Sequence, residues 1–401
     1  TFVANVPQYM SFEELRSSVK SDEARDIQQS GKIYLKDEYV FVNEVHKGIH
    51  VINNANPASP RIISFISIPG NVDMAIRNHY LYADSYTDLV VIDISDIENT
   101  KEVGRIKNAF PNPVYPLNYN YDHPVAQIDE EKGAIIGWEV KEVTETVEIN
   151  SQPAYPYFRN GVYTLNEVDG GGYVTPTTAG SIGTGGSLAR FTIFSSFLYT
   201  IDNSHLQVFN IQDPVEPDAI DNIEVGFNIE TLFPYTDKLF IGSQTGMFIY
   251  SLENPADPEK FGEFWHVTSC DPVVVEGDYA YVTLRDGTVC GGFTNQLDVV
   301  KIADIRNPEL IKSYSMNHPF GLGIDQNTLF ICDGDAGLKI YDASDPWNID
   351  QHQIAHFSDM NAVDVIPYQD VLIMIAEEGL YQYDYSNLEN LEQISFISFS
   401  N

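Results

Sequence analysis

From Gly31 onward, apolar positions come in bursts of about four to eight residues, each closed by Gly, Asn, Asp or Pro. The rhythm is that of short strands, because no stretch between bursts sustains a 3.6-residue period. One phrase organises the rest. Leu89–Asp96 reads L-V-V-I-D-I-S-D, and copies begin at Ile49, Leu206, Met247, Val300, Leu338 and Leu380. Their fifth residues are polar: Asn53, Asp93, Asn210, Ser251, Asp304, Asp342 and Asp384. Their eighth residues are Asn or Asp: Asn56, Asp96, Asp213, Asn254, Asn307, Asp345 and Asn387. Proline follows at Pro57, Pro214, Pro255, Pro308 and Pro346. This pattern predicts a short buried strand broken by an Asx-Pro turn, in which the side-chain oxygen accepts backbone N–H groups and proline ends the ladder.

A whole unit is clearest between Val72 and Lys107, with strands A at Val72–Ile76, B at Tyr80–Asp84, C at Leu89–Ile94 and D at Val103–Lys107. Comparable quartets begin near Lys32, Ser187, Ile229, Pro272, Phe320 and Ala362. A period of roughly 40 residues is that of a four-stranded propeller blade. A degenerate unit is placed between the second and third clear ones, with strand A at Val125–Asp129 and a long strand B at Ala134–Val143. The fold predicted is all-β: a single β-propeller over 31–401 with about eight four-stranded blades. Seven is the alternative if the degenerate unit forms no blade. An irregular insertion is expected around 144–186, where Pro153–Phe158 is rich in proline and aromatics and Gly170–Gly186 in Gly and Thr. Residues 1–30 read as a short N-terminal helical arm. Ser11 and Glu14 have capping-box spacing, and Phe12, Leu15 and Val19 share one helical face.

The repeated phrase, best seen in Leu89-Val90-Val91-Ile92-Asp93, resembles the LVIVD repeat of bacterial and archaeal surface proteins. The likeness spans about Gly31 to the C-terminus, and the copy Leu380-Tyr381-Gln382-Tyr383-Asp384 departs from it at the third position. The resemblance implies a β-propeller, usually exported, and brings no established catalytic motif.

Charge narrows the partners. Against 58 Asp and Glu there are only 22 Lys and Arg, a formal net charge of −36. Such a field disfavours nucleic acid and anionic lipid and suits cationic partners, Ca2+ or plain solubility. With 43% hydrophobic residues, 24 Tyr and 22 Phe, the chain has the means to build a core. No apolar run reaches the roughly 20 residues of a membrane-spanning helix. The chain opens at Thr1, so a signal segment or membrane tether ahead of it is compatible with an extracytoplasmic, secreted or cell-surface protein.

In a propeller the D–A and B–C loops share one face, here called the top. The residues leading into strand A then gather around the channel mouth: Asn71, His123, Asn228, Asp271, His318 and Asn361, with Ser30 and Gly186 at the equivalent places. A long loop, Phe110–Pro124, sets Tyr115, Tyr119 and Tyr121 among Asn and Pro. Tyr119 and Tyr121 offer flat apolar faces with hydroxyls, suited to a glycan or protein. Trp265 and His266 approach the same face. The competing readings are a water-satisfied ring of turn residues and a loop that merely plugs the channel. Asp73 and Glu230 occupy matching strand-A positions and would suit Ca2+ or acid–base work, although no cofactor is required by any motif. There is no G-x-S-x-G, P-loop, H-E-x-x-H or C-x-x-C, and Gly170–Gly172 and Gly183–Gly186 lack the strand–helix context of a phosphate loop. No catalytic residue is assigned.

The expectation for function is a non-enzymatic extracytoplasmic protein that binds a glycan or protein on its top face. The alternatives are a hydrolase or lyase with a metal or carboxylates in the channel, and a structural spacer of a surface assembly. Of the three cysteines, Cys270 precedes strand A and Cys290 follows strand B of one blade, so both reach its top. Neighbouring strands lie about 4.8 Å apart, so a Cys270–Cys290 disulfide is expected, with two reduced cysteines as the alternative. Cys332 falls inside a strand as a small buried thiol.

Overall fold

The computed structural model describes residues 1–111, 113, 120, 122–144, 181–266, 272–287 and 294–400. The chain forms two compact units: residues 19–113 with 179–401, and residues 1–18 with 114–178.

The larger unit contains seven sheets whose four core strands follow one another in sequence. Their innermost strands are Ser30–Lys36, Met74–Arg77, Phe191–Phe194, Ile229–Tyr235, Val273–Glu276, Leu322–Asp325 and Ala362–Tyr368. They define blades 1 to 7 in that order. Each innermost strand touches that of the next blade, and the seventh touches the first, so the ring is closed. The seam between blades 7 and 1 is sealed without exchanging a strand. Ile27, Val40 and Ile52 cluster with Ile373, Ile375, Leu380 and Phe399. Asn54 and Gln382 also exchange side-chain hydrogen bonds of 2.9 and 2.7 Å.

The blade count is therefore seven, the alternative to the expected eight. In the supposed extra unit, Val125 makes only an isolated bridge to Asn5. Ala134–Val143 is a strand, but it pairs antiparallel with Phe2–Met10 as a two-stranded ribbon in the smaller unit. The N-terminal segment supplies that partner because Phe2–Met10 is itself extended, with Ala4 and Asn5 fully buried. The capping box does nucleate a helix, Phe12–Ser17, where the Ser11 hydroxyl accepts the N–H of Glu14 at 3.2 Å. Lys20–Glu23 then pairs with Arg61–Ser67 and adds a further strand to the outer edge of blade 1.

The repeated phrase is the third strand of each blade. Leu89, Val90, Val91 and Ile92 are all fully buried, since both faces of the strand lie against protein. Each such side chain contributes roughly 1.5–3 kcal/mol on leaving water. The polar fifth residue then turns the chain: Asn53, Asp93, Asn210, Ser251, Asp342 and Asp384 each accept the N–H two residues on, at 2.8–3.3 Å. In blade 5 the register differs from the sequence reading by three residues. Lys301 pairs with Tyr279 as Asp93 pairs with Tyr80, so that copy begins at Leu297 and its eighth residue is Asp304. The following turns bind neighbouring blades. Buried tyrosine hydroxyls donate across the blade interface, from Tyr82 to the Pro214 carbonyl, Tyr199 to Pro255 and Tyr314 to Pro346, at 3.2, 2.6 and 2.8 Å.

Candidate functional site

The channel is occupied by the chain itself. Thr184–Gly185 pairs with the innermost strand of blade 1, and Ile182 bridges to Arg77 of blade 2. Beyond these, Ser187 donates to Asp364 Oδ1 of blade 7 and accepts the N–H of Leu322 of blade 6, both at 2.9 Å. The Ala189 carbonyl accepts the N–H of Leu232 of blade 4. The stretch 181–190 thus joins five of the seven blades from inside. The glycines explain how it fits. A Cβ on Gly186 would stand 2.0 Å from Asp364 Oδ2, and one on Gly183 would stand 2.3 Å from the Tyr34 ring. Their place in the sequence is set by close packing, consistent with the absence of phosphate-loop context.

Charges surround this stretch. Lys32 donates its ammonium to the Leu188 carbonyl, and Asp73 accepts the N–H groups of Arg190 and Phe191. Burial dominates their ionisation: it lowers the Lys32 pKa and raises that of Asp73, with the two charges partly offsetting each other. Burial likewise pushes Asp364 up to about 6, against the attraction of Lys32 and the Ser187 hydroxyl. Asp84 is also pushed up to about 6, although Oδ1 accepts from Val72 N and Asp73 N. Glu230 is raised by burial, opposed by the hydrogen bond from Gln244 and by Arg285. Lys32, Arg190, Ser187 and Asp364 were not singled out from sequence. For Lys32 and Asp364 the available signal is a charge inside a strand A that is otherwise apolar; Ser187 and Arg190 precede strand A of blade 3 and carry no such signal.

The residues expected at the mouth are held as follows. Asn71 is fully buried, receiving Asn43 Nδ2 on its Oδ1 at 2.7 Å and donating to Asp84 Oδ1 at 2.9 Å, which ties blade 1 to blade 2. Asn228 adopts φ 52° and donates to Gln244 Oε1 at 2.9 Å, and Gln244 in turn donates to Glu230. His318 lies partly exposed against Phe320, its N–H held by Asp333 Oδ1 at 2.8 Å and its Nε2 3.5 Å from Asp286. The N–H of Asn361 is held by Glu378 Oε2 at 3.3 Å. His123 belongs to the smaller unit, where its carbonyl accepts from Asn5 Nδ2 at 2.8 Å. Tyr119, Tyr121, Asp271, Cys270 and Cys290 lie outside the described residues. Among the described residues no three His, Cys, Asp or Glu side chains are grouped to hold a metal ion, and Cys332 is a buried free thiol.

Comparison with known proteins agrees with this architecture. The LVIVD repeat matches residues 70–107 and 269–316, which span blades 2 and 5. No curated protein matches the chain. Among solved structures, the computationally designed Ika8 protein is 7% identical with a TM-score of 0.51, covering 94% of this chain and 91% of its own. Kluyveromyces lactis Hsv2 is 10% identical, TM-score 0.51, with 93% and 100% covered. Saccharomyces cerevisiae Sqt1 is 8% identical, TM-score 0.50, with 99% and 89% covered. At such identities the likeness is one of fold alone. The chain is a seven-bladed β-propeller that carries LVIVD repeats.

Proposed function

We propose that this propeller is a non-enzymatic binding or scaffold protein, exposed outside the cytoplasm, that presents its top face to a protein or glycan. The observation that carries this reading is the filled channel. Asp73 and Asp364 are 2% and 1% exposed and already engage Arg190, Phe191 and Ser187. An external substrate would reach these carboxylates only by displacing 181–190. A hydrolase or lyase site in the channel is therefore the weaker reading. Large aromatics on the top, Trp265 at 60% and Phe227 at 74% exposed, support binding over a bland spacer.

Screening the purified chain on a glycan array and on isolated peptidoglycan, followed by titration of each hit, tests the proposal. Binding that falls in Tyr119→Ala and Tyr121→Ala supports the tyrosine-rich loop as the binding element, and unchanged affinity in both removes it. The compartment is tested separately through the cysteines. A Cys270–Cys290 disulfide leaves one titratable thiol in the unfolded, unreduced protein, and three free thiols would dismiss both the bridge and its support for export.

A further inference from the structure

We infer that the corner where the tops of blades 3 and 4 meet is a docking surface for a cationic, partly apolar segment of another protein. This rests on the top-face binding reading and names the partner's chemistry. Phe227, in the loop from blade 3 to blade 4, is 74% exposed, and Trp265, ending the outer strand of blade 4, is 60% exposed. Trp265 stands on a buried ring, and the backbone beside Phe227 passes over the same ring. Phe248 is 2% exposed and meets the Trp265 ring edge-on at 5.7 Å. The position of a Cβ on Gly226, next to Phe227, lies 3.1 Å from the same ring. The loop is fastened from below, with the Val225 N–H donating to the Ser204 carbonyl at 2.9 Å. Trp265, backed by a buried ring, is an anchor whose ordering costs little on binding, and Phe227 adds apolar surface from a fastened loop.

Charge chooses the occupant. No Lys or Arg occurs between Arg190 and Lys238, so blade 3 has no such cation; Asp202 lies at its top and Glu224 ends its outer strand there, while Asp213, Glu216 and Asp218 lie at the opposite end. Its outer strand, Asp218–Glu224, runs up to Phe227 with Asp218 and Glu224 exposed. The two lysines of blade 4 are already paired, Lys238 with Asp237 and Lys260 with Glu263. A basic segment would gain the field of this edge and place cations over the Trp265 face. Blade 7 also lacks Lys and Arg, since none follows Lys339. Its aromatics are less exposed, however: Tyr368 is 37% exposed, and Phe396, against Tyr381 at 4.5 Å, is 44% exposed. That blade serves as the internal control.

The test is fluorescence titration of the full chain with a labelled peptide of about twelve residues of Lys, Arg and Leu, beside an all-Lys peptide and a neutral hexasaccharide. Phe227→Ala and Trp265→Ala are each expected to weaken the mixed peptide about fivefold or more, and Phe396→Ala less than about twofold. All three side chains are exposed, and matched melting temperatures confirm folding. Equal affinity in wild type, Phe227→Ala and Trp265→Ala would mean that a diffuse acidic field holds the peptide, and the inference fails. Loss of hexasaccharide binding alone in Trp265→Ala would reassign the corner to a glycan. Either failure leaves the binding reading standing if a ligand is still lost in Tyr119→Ala and Tyr121→Ala.

Discussion

Ser187 donates its hydroxyl to Asp364 Oδ1 at 2.9 Å in the middle of the ring, where Ser187 is 3% and Asp364 1% exposed. The same hydroxyl accepts the N–H of Leu322, so one serine joins blades 6 and 7 to the crossing segment. A hydroxyl can do both because it carries one donor and two lone pairs. The carboxylate sits in a slot formed by two glycines, since Cβ atoms on Gly186 and Gly321 would stand 2.0 and 2.1 Å from its oxygens.

Gly186→Ala should therefore destabilise the propeller strongly. The added methyl meets a buried carboxylate and not the free end of a flexible side chain, so relief requires moving Asp364 or the crossing segment. A loss of about 2–4 kcal/mol is expected, in the range of overpacked cores and disrupted buried polar networks. Denaturant unfolding measures it. A variant within about 0.5 kcal/mol of wild type would show that the segment is not seated against Asp364 as described.

The same carboxylates set a pH dependence opposite to that of ordinary surface acids. Asp84 and Asp364 have folded pKa values raised to about 6 from a starting 3.8. A raised acid favours the folded state while protonated: its contribution is full below about 4 and is lost as pH rises through about 6. Each is worth on the order of 3 kcal/mol at most. The melting temperature should be higher near pH 5 than near pH 7.5, and Asp364→Asn should reduce that difference. A pH profile in Asp364→Asn identical to wild type would refute this assignment.

The ring was legible in the sequence because its grammar is local. Leu89–Ile92 with Asp93 specifies a buried strand and the turn that ends it, and both can be read from a few neighbours. The blade count was harder. Ala134–Val143 has the pattern of a blade strand, but its partner, Phe2–Met10, is remote in sequence and nothing local announces the pairing. The channel was least legible. Asn71 was expected to face a ligand, whereas its side chain ties Asn43 to Asp84, and turn residues look alike whether they hold a blade or a ligand. Gly183 and Gly186 were visible, but what they make room for became apparent only from Tyr34 and Asp364.

Blade-to-blade cohesion has its own test. The fully buried Tyr199 donates to the Pro255 carbonyl at 2.6 Å, and burial raises its pKa far above the usual phenol range. Tyr199→Phe keeps the ring and removes only the donor, stranding a carbonyl at the interface of blades 3 and 4. A cost of about 1–2 kcal/mol is expected. Equilibrium unfolding of the variant should keep the wild-type slope and shift the midpoint. An unshifted midpoint would show that water replaces the phenol at no cost.

The last prediction concerns the end of the tyrosine-rich loop. Asn5 is fully buried in the smaller unit, and its Nδ2 donates to the carbonyls of Asn120 and His123, both at 2.8 Å. Its Oδ1 accepts the N–H of Asn120 at 2.7 Å, while its backbone pairs with Pro124 and Ala126. One side chain thus satisfies three backbone groups of the turn that ends the loop. Asn5→Ala removes all three bonds and leaves the strand pairing between Phe2–Met10 and Ala134–Val143 in place. Amide exchange at Asn120, Asp122 and His123 should accelerate by about tenfold or more, with little change in the blades, because local opening there costs less than global unfolding. If the loop binds through Tyr119 and Tyr121, the variant should also weaken the ligand while keeping both tyrosines, since the bound conformation must then be ordered on binding. Unchanged exchange at Asn120, Asp122 and His123 would show that the backbone pairing alone fixes the turn.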